Sequence, residues 1–461
     1  MARYVIVGNG VAGVRAAEAI RETDPKGEIV ILGGESHPFY RRPQLADYAS
    51  GRTDDSAIWG KPDDFYKDTQ IDVRTGTRVV GIDARRHRLT LEGGATEQYD
   101  RLLLATGARP APPPWEGAPA DGVISLYHLD DANWIKANAV KGETAVVVGE
   151  NSIALETARA LRESGMQVKH MLRGERLWPE MLDEEAGQIV QDHLKGRGIE
   201  FVRSSQPARF VRENGTLTGV VTDQGETVSC RVLGVAIGYH RNVDLLAGSK
   251  IDRDQGILVD DRLRTSARDI YAAGDVAQSP DATYRDRRVH YGWLRAWEQG
   301  RIAGTNMAGG SATYADSLWS MHIQIYGLDF LALGISNPPP GGELGKEIGY
   351  FPEVGVYKSI TRRNGTIVGA TLLGNVDEAG RLEAMIRSNA SLTDLGEELR
   401  RQMFDQFTVR TSAIGVLCPV CKLAIPLPES AQEGQVLTCP ICGVDLRLER
   451  MANKLLAGRP L

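Results

Sequence analysis

Cysteine is scarce in this chain and absent from its first 229 residues. Only five cysteines occur among 461 residues, and none precedes Cys230. A secreted disulfide framework would spread cysteines along the whole chain, so the sequence favours a reducing compartment. The same scarcity excludes thiol–disulfide chemistry by any residue before Cys230.

Long apolar runs and an excess of basic residues are also missing. No apolar stretch approaches the roughly 20 residues that span a bilayer, and the N-terminus lacks the pattern of a secretion signal. The net charge is −6, whereas nucleic-acid binding requires clustered Lys and Arg. We therefore expect a cytoplasmic protein that binds neither membrane nor nucleic acid.

The length and the hydrophobic pattern predict several α/β domains. A chain of 461 residues is too long for one ordinary core. Apolar strands alternate with helical periods in the first third, as in a parallel sheet. Shorter strands from Ile71 to Leu91 predict an antiparallel insertion, and a second strand–turn–helix unit begins at Thr144.

The first strand leads into a glycine-rich loop, Gly8-Asn9-Gly10-Val11-Ala12-Gly13. Gly8 permits the tight turn, Gly10 lets a pyrophosphate approach the backbone, and Gly13 lets the helix pack on the strand. The helix N-terminus offers free N–H groups to the phosphates. Glu35 follows the second strand, where an acid binds a ribose hydroxyl. This pattern predicts dinucleotide binding.

The second unit carries an altered copy of this loop. Gly149 is retained, but Asn151 and Ala154 replace the second and third glycines. The Asn151 side chain would stand where a pyrophosphate approaches, so the unit is either a weakened nucleotide site or a structural remnant. Its second strand ends without an acid, and Arg173 and Arg176 could instead bind a 2′-phosphate. NADH and NADPH both remain open, with a slight lean to NADPH.

Four motifs in order resemble those of the FAD/NAD(P)-dependent pyridine nucleotide–disulfide oxidoreductase superfamily. They are Gly8–Gly13, Ala105–Pro110, the Gly149 loop and Thr265–Asp275. The resemblance covers about residues 1 to 395. It is strongest to ferredoxin and rubredoxin reductases and to the flavin modules of assimilatory nitrite reductase.

The resemblance implies an α/β chain with two Rossmann-like domains, one for FAD and one for NAD(P)H, and an α+β interface domain. The implied division is FAD-binding domain 1–112 and 241–312, NAD(P)-binding domain 113–240, interface domain 313–395, linker 396–413 and four-cysteine ribbon 414–450.

The resemblance also implies roles for single residues. Thr106 and Gly107 mark the crossing between domains, Gly274 and Asp275 face the flavin ribityl chain, and Arg42 contacts the flavin. Trp293 begins the helix that closes the flavin site. The remaining residues expected to contact a cofactor are Val11, Ala12, Val79, Ile153, Glu156 and Gly238.

Two departures from the superfamily bear on the chemistry. Disulfide reductases carry a CxxxxC pair early in the FAD domain, and some peroxidases and oxidases carry one redox cysteine there. This chain has neither, so electrons would leave the flavin directly. Many relatives also place a lysine near the flavin after the Arg-Pro segment, where this chain has Ala46 and Asp47.

Two CxxC pairs lie near the C-terminus, Cys418/Cys421 and Cys439/Cys442, separated by 17 residues. Four thiolates at such spacing are typical of a structural zinc ribbon. Rubredoxin-like iron is the less favoured alternative, because the intervening segment contains no aromatic residue, and free thiols are the third. Cys230 is expected to be a core residue.

The sequence therefore predicts an FAD-dependent oxidoreductase that exchanges electrons between NAD(P)H and a protein carrier of iron–sulfur or rubredoxin type. No residue is assigned as a general acid or base. The alternative is a non-catalytic or relay subunit of a larger complex, with a degraded nucleotide site and a ribbon for docking. In either case we expect an oligomer or a member of a complex.

Overall fold

The structure is a computed structural model that describes residues 1–62, 64–117, 121–314, 318–338, 343–351 and 356–391. It also describes the C-terminal segments 415–417, 424–426, 431–439, 443–451 and 454–460.

The first unit is built on a parallel sheet. Its elements in chain order are β1 (Arg3–Val7), α1 (Val11–Thr23), β2 (Glu28–Leu32), α2 (Leu45–Ala49), α3 (Phe65–Asp68), β3 (Ile71–Arg74), β4 (Val79–Asp83), β5 (Arg88–Leu91), β6 (Thr96–Gln98), β7 (Arg101–Leu104) and β8 (Ala108–Pro110). The parallel neighbours are β7, β1, β2 and β3, and β4, β5 and β6 form an antiparallel sheet. The strands β1 and β2 are almost entirely apolar because helices cover both faces of such a sheet.

The prediction that the antiparallel insertion begins at Ile71 was wrong. The antiparallel insertion begins at Val79, whereas β3 pairs in parallel with β2 through Ile29 and Ile71. A four-residue strand carries too little pattern to show which sheet it joins, so its pairing depends on the tertiary fold.

The second unit repeats the design of the first. Its elements are β9 (Val123–Ile124), α4 (Leu129–Asn138), β10 (Thr144–Val148), α5 (Ser152–Glu163), β11 (Gln167–Met171), α6 (Glu184–Gly196), β12 (Ile199–Val202), β13 (Pro207–Glu213), β14 (Thr216–Thr222), β15 (Thr227–Ser229), β16 (Val232–Val235) and β17 (Tyr239–Arg241). The parallel sheet has the order β12, β11, β10, β16, β9, and β13 to β15 form an antiparallel sheet beside it.

The chain then returns to the first sheet. The next elements are β18 (Ile257–Leu258), β19 (Ile270–Ala272), β20 (Ala277–Asp281), β21 (Asp286–Val289) and α7 (Trp293–Met307). Strand β19 pairs with β7 and completes the first sheet. Helix α7 packs directly on α1, because Gly300 and Gly304 leave no side chain between the two backbones. A Cβ on Gly300 would lie 2.3 Å from the Ala12 carbonyl oxygen.

An antiparallel sheet follows, and short strands lie beyond it. The elements are β22 (Ser320–Ile325), β23 (Leu328–Gly334), β24 (Leu344–Phe351), β25 (Val356–Arg363), β26 (Thr366–Leu373) and α8 (Ala379–Arg387), then β27 (Gly415–Leu417), β28 (Ala424–Pro426), β29 (Val436–Thr438), β30 (Asp445–Met451) and β31 (Lys454–Pro460). The predicted linker 396–413 lies outside the described residues. Among the described residues, no helix combines the length and apolarity needed to cross a bilayer.

Candidate functional site: two glycine loops and the crossing between them

The first glycine loop leaves the start of α1 open. Gly10 caps the helix without any side-chain hydrogen bond, and a Cβ placed on it would meet no atom within 4 Å. Gly8 has φ +121°, and its Cβ would lie 2.1 Å from the Ala105 carbonyl oxygen. A Cβ on Gly13 would lie 2.0 Å from the Gly8 carbonyl oxygen. The backbone therefore requires Gly8 and Gly13, while Gly10 keeps open space before the helix amides.

Glu35 lies at the end of β2, beside Arg42 and Tyr40. An Arg42 nitrogen is 2.6 Å from one Glu35 oxygen, and the Tyr40 hydroxyl donates to the other at 2.6 Å. Burial raises the pKa of Glu35, but Arg42 and Tyr40 outweigh it, and the net pKa is lowered. The Arg42 guanidinium also stacks over the Tyr127 ring at 4.7 Å. Glu35 is thus held ionised at the edge of the first sheet.

Asp275 lies near this cluster, within electrostatic reach of Arg42 and Tyr127. It follows Gly274, which has φ +79°, and accepts a hydrogen bond from the Gly292 amide at 3.2 Å. Burial raises its pKa, although Arg241 and Arg42 partly oppose the shift. Burial also raises the pKa of Tyr127 to about 12, with a further contribution from the charge of Asp275. A carboxylate with one amide donor suits a ligand that supplies further hydroxyl donors.

The crossing between the two units is fastened by Asn242. Thr106 Oγ1 donates to the Asn242 carbonyl oxygen at 2.8 Å, and Asn242 Nδ2 donates to the Thr106 carbonyl oxygen at 2.8 Å. The Asn242 amide donates to the Gly107 carbonyl oxygen at 3.0 Å. Strands β8 and β17 pair antiparallel beside this contact. Thr106 and Gly107 therefore lie where both chain crossings meet.

Several buried polar atoms of the first unit and of the crossing have no protein partner within the described part of the chain. Among the described residues, buried nitrogen or oxygen atoms without a hydrogen bond include Asn9 Nδ2, Tyr239 OH, Arg241 Nε, Trp293 Nε1 and Gln299 Nε2. Buried polar groups are normally satisfied, so such a group of atoms calls for a ligand. Open helix amides, unsatisfied donors and a deep carboxylate fit a large polar molecule with an anionic diphosphate, as FAD is.

The second glycine loop has a different chemistry at its centre. Asn151 Oδ1 accepts from the amides of Ile153 and Ala154, both at 3.1 Å. Asn151 Nδ2 donates to the Ala236 carbonyl oxygen at 2.9 Å. The side chain thus binds two amides at the start of α5, which are the groups that a phosphate would use. Gly149 retains φ +136° and packs against Ala236.

The other residues expected to contact a cofactor fall into two groups. Ala12 packs on Gly274, and Val79 follows the turn at Gly76, which donates to the Glu35 carbonyl oxygen, so these lie in the first unit. The residues of the second unit follow the carboxyl ends of its parallel strands β10, β11 and β16. They are Gly149, Asn151, Ile153, Arg173 and Gly238.

Glu156 also takes part in an ion cluster with Arg159. Arg159 is 2.9 Å from Glu156, 3.2 Å from Glu163 and 2.5 Å from Asp47 on α2. Asp47 therefore joins the two units through a buried arginine.

Of the four clustered cysteines, Cys439 alone is described; Cys418, Cys421 and Cys442 lie outside the described residues. The Cys439 side chain is buried. Its carbonyl oxygen accepts from the Gly443 amide at 2.9 Å, and its amide donates to the Val444 carbonyl oxygen at 2.8 Å. These two hydrogen bonds join Cys439 to Gly443 and Val444.

Sequence reasoning missed Tyr127, Tyr239, Arg241 and Asn242. None of them belongs to a glycine motif, and each lies in a connecting segment or short strand of the crossing. Tyr239, Arg241 and Asn242 lie within four positions of the predicted site residue Gly238, and this closeness is the signal that could have found them.

Known proteins with similar sequences point to the same family. Residues 2–300 match the family model "Pyridine nucleotide-disulphide oxidoreductase". The nitrite reductase [NAD(P)H] of Bacillus subtilis is 30% identical over 96% of this chain, which spans only 52% of that relative. The rubredoxin-NAD(+) reductase of Pseudomonas putida is 32% identical over 59% of this chain and 71% of its own length.

A solved structure agrees at the level of the fold. The putidaredoxin reductase in its covalent complex with putidaredoxin matches with a TM-score of 0.81 and 22% identity, covering 87% of this chain and 98% of that one.

Each of the two units combines a parallel sheet with a glycine loop, and the Thr106–Asn242 contact joins them. The chain belongs to the pyridine nucleotide-disulphide oxidoreductase family.

Proposed function

We propose that this chain passes electrons between a nicotinamide nucleotide and a protein electron carrier through FAD, without a redox-active disulfide. The observation that carries the proposal is the open space at Gly10 together with buried polar atoms that lack a partner among the described residues, in a chain whose cysteines all lie at or beyond Cys230. Similarity to the rubredoxin-NAD(+) reductase supports a protein carrier as the second partner.

The residues proposed to hold FAD lie around the first loop, around Asp275 and at the crossing marked by Thr106 and Gly107. The α1 amides would meet the diphosphate, Glu35 would accept from the adenosine ribose, and Asp275 would accept from the ribityl hydroxyls. The other proposed contacts are Gly8, Gly10, Val11, Ala12, Gly13, Arg42, Val79, Thr106, Gly107, Gly274 and Trp293. FAD supplies the hydride and electron chemistry, while these side chains bind and orient it.

The residues proposed to hold the nicotinamide nucleotide lie in the second unit. They are Gly149, Asn151, Ile153, Glu156, Arg173 and Gly238. Because Asn151 already binds two helix amides, we expect weaker diphosphate binding here than at the first loop.

We also propose the domain division 1–112 with 241–312 for FAD, 113–240 for the nucleotide, 313–395 for the interface domain, 396–413 for a linker and 414–450 for the ribbon. The pairing of β19 with β7 supports the return of the chain to the FAD domain.

For the C-terminus we propose a zinc ribbon on Cys418, Cys421, Cys439 and Cys442, with a stabilising or docking role. The burial of Cys439 and its backbone hydrogen bonds with Gly443 and Val444 support a metal knuckle.

Anaerobic titration of the purified full chain tests the function. We expect bound FAD, bleaching of the flavin by stoichiometric reduced nucleotide, and reoxidation by added rubredoxin or by a ferredoxin. A chain that holds FAD but is bleached by neither NADH nor NADPH would instead support the relay-subunit alternative. The match to part of the longer nitrite reductase favours that alternative.

A further inference from the structure

The second unit lacks an acid at the position where the first unit has one. Val7 pairs with Leu32 in the first sheet, and Val148 pairs with Met171 in the second. Three residues beyond Leu32 stands Glu35, and three residues beyond Met171 stands Gly174. The position that should bind the adenosine ribose of the second nucleotide therefore has no side chain.

Glu150 fills this place from the neighbouring loop. It is the residue between Gly149 and Asn151, and its Oε1 accepts from the Gly174 amide at 2.9 Å. A Cβ on Gly174 would lie 3.9 Å from the same Oε1. The carboxylate of Glu150 thus reaches the space that a side chain at position 174 would enter.

We propose that Glu150 accepts from the ribose hydroxyls of the adenosine half of NADH, and that it makes NADH the preferred nucleotide. This inference rests on the proposed function. A carboxylate accepts well from two hydroxyl donors, but it repels a 2′-phosphate that carries negative charge.

The nearby arginines carry less weight in this choice. Arg173 and Arg176 are exposed in the loop after β11, where solvent and salt weaken their attraction for a phosphate. Glu150 is partly buried and held by the Gly174 amide. A fixed charge discriminates between ligands better than flexible exposed charges, because its position is set before binding.

The test compares binding and flavin reduction for the two nucleotides in the FAD-loaded full chain. Titration calorimetry would measure NAD⁺ and NADP⁺ binding, and anaerobic stopped-flow would measure flavin bleaching by NADH and NADPH. In the unaltered chain we expect NAD⁺ to bind more tightly than NADP⁺. In Glu150→Gln we expect NAD⁺ affinity to fall about tenfold or more, while NADP⁺ affinity is unchanged or improved.

Glu175→Gln is the matched control. Glu175 lies next to Gly174 in the loop after β11, but it accepts from Ser204 Oγ and not from the Gly174 amide. It should leave the ratio of the two affinities unchanged, and FAD content should be the same in all three proteins. Equal or tighter binding of NADP⁺ by the unaltered chain, no binding of NAD⁺, or equal losses for both nucleotides in Glu150→Gln would overturn the role of Glu150. Binding of NAD⁺ without flavin bleaching would defeat the proposed function and leave this role standing.

Discussion

At the scale of single residues, the two loops differ most in what occupies the first helix amides. Gly10 leaves the amides of α1 open, whereas the Asn151 side chain accepts from two amides of α5. The side chain stabilises the helix in the absence of nucleotide, and the same bonds must be broken or bypassed when a diphosphate arrives.

Replacing Asn151 by glycine should therefore tighten nucleotide binding. A glycine N-cap costs only a few tenths of a kcal/mol relative to asparagine, and a freed helix N-terminus stabilises an anion by about 1 kcal/mol. We expect Asn151→Gly to lower the NAD⁺ dissociation constant about fivefold, measured by calorimetry, with little change in melting temperature. Asn151→Asp keeps the cap but adds a negative charge, so it should weaken binding; tighter binding by the Asp variant would contradict this account.

His170 should make the second unit sensitive to acid. It is fully buried, its Nε2 lies 2.7 Å from the Gly149 carbonyl oxygen, and burial lowers its pKa from 6.5 to about 4. Between these values the unfolded chain binds a proton that the folded chain does not, so the free energy of unfolding falls as the pH drops. The shift corresponds to a loss of about 3 kcal/mol by pH 4.

The measurement is denaturant unfolding across this pH range for the unaltered chain and for His170→Gln. Glutamine can donate the same hydrogen bond without titrating. The free energy of unfolding of His170→Gln should therefore fall less steeply as the pH drops. Equal pH dependence in the two proteins would show that His170 does not carry the effect.

At the scale of elements, the contact between α1 and α7 sets the geometry of the first loop. Gly300 and Gly304 bring the two helices to backbone contact. The hydrophobic pattern alone shows that both helices are partly buried, but it does not show that they pack on each other. That pairing follows from the return of the chain through β19.

Gly300→Ala should loosen the FAD site through this contact. The new Cβ would clash with the Ala12 carbonyl oxygen and push on the first turn of α1. We expect a loss of about 1–3 kcal/mol in stability and less FAD in the purified protein, measured by thermal melting and by absorbance.

Gly380→Ala is the control for Gly300→Ala. Gly380 also lies in a helix, α8, but its Cβ would meet no atom within 4 Å, so stability should stay the same or rise slightly. Full FAD retention by Gly300→Ala would refute the proposed coupling between α7 and the loop.

At the scale of the whole molecule, two units are joined by the Thr106–Asn242 contact and the Asp47–Arg159 ion pair. Both bring together residues more than 100 positions apart, so neither could be read from local pattern. The proposed C-terminal zinc ribbon is the opposite case, because the spacing of its four cysteines along the chain is enough to predict it.

Metal analysis of the full chain should find about one zinc per chain. Cys439→Ser should lower the zinc content, since a four-thiolate site loses a ligand. Cys230→Ser serves as the comparison: burial raises the pKa of the Cys230 thiol to about 12, and zinc should be unaffected. Iron in place of zinc, or equal zinc in both variants, would rule out the proposed site.

The sequence alone determined the two glycine loops, the acid after the first β–α–β unit, the lack of an early dithiol and the family, because each is a local pattern of residue types. The folded chain was needed to show which sheet β3 joins, that Asn151 caps α5, and that Glu150 reaches the amide of Gly174. These depend on side-chain directions and on contacts between distant segments, which spacing along the chain does not encode.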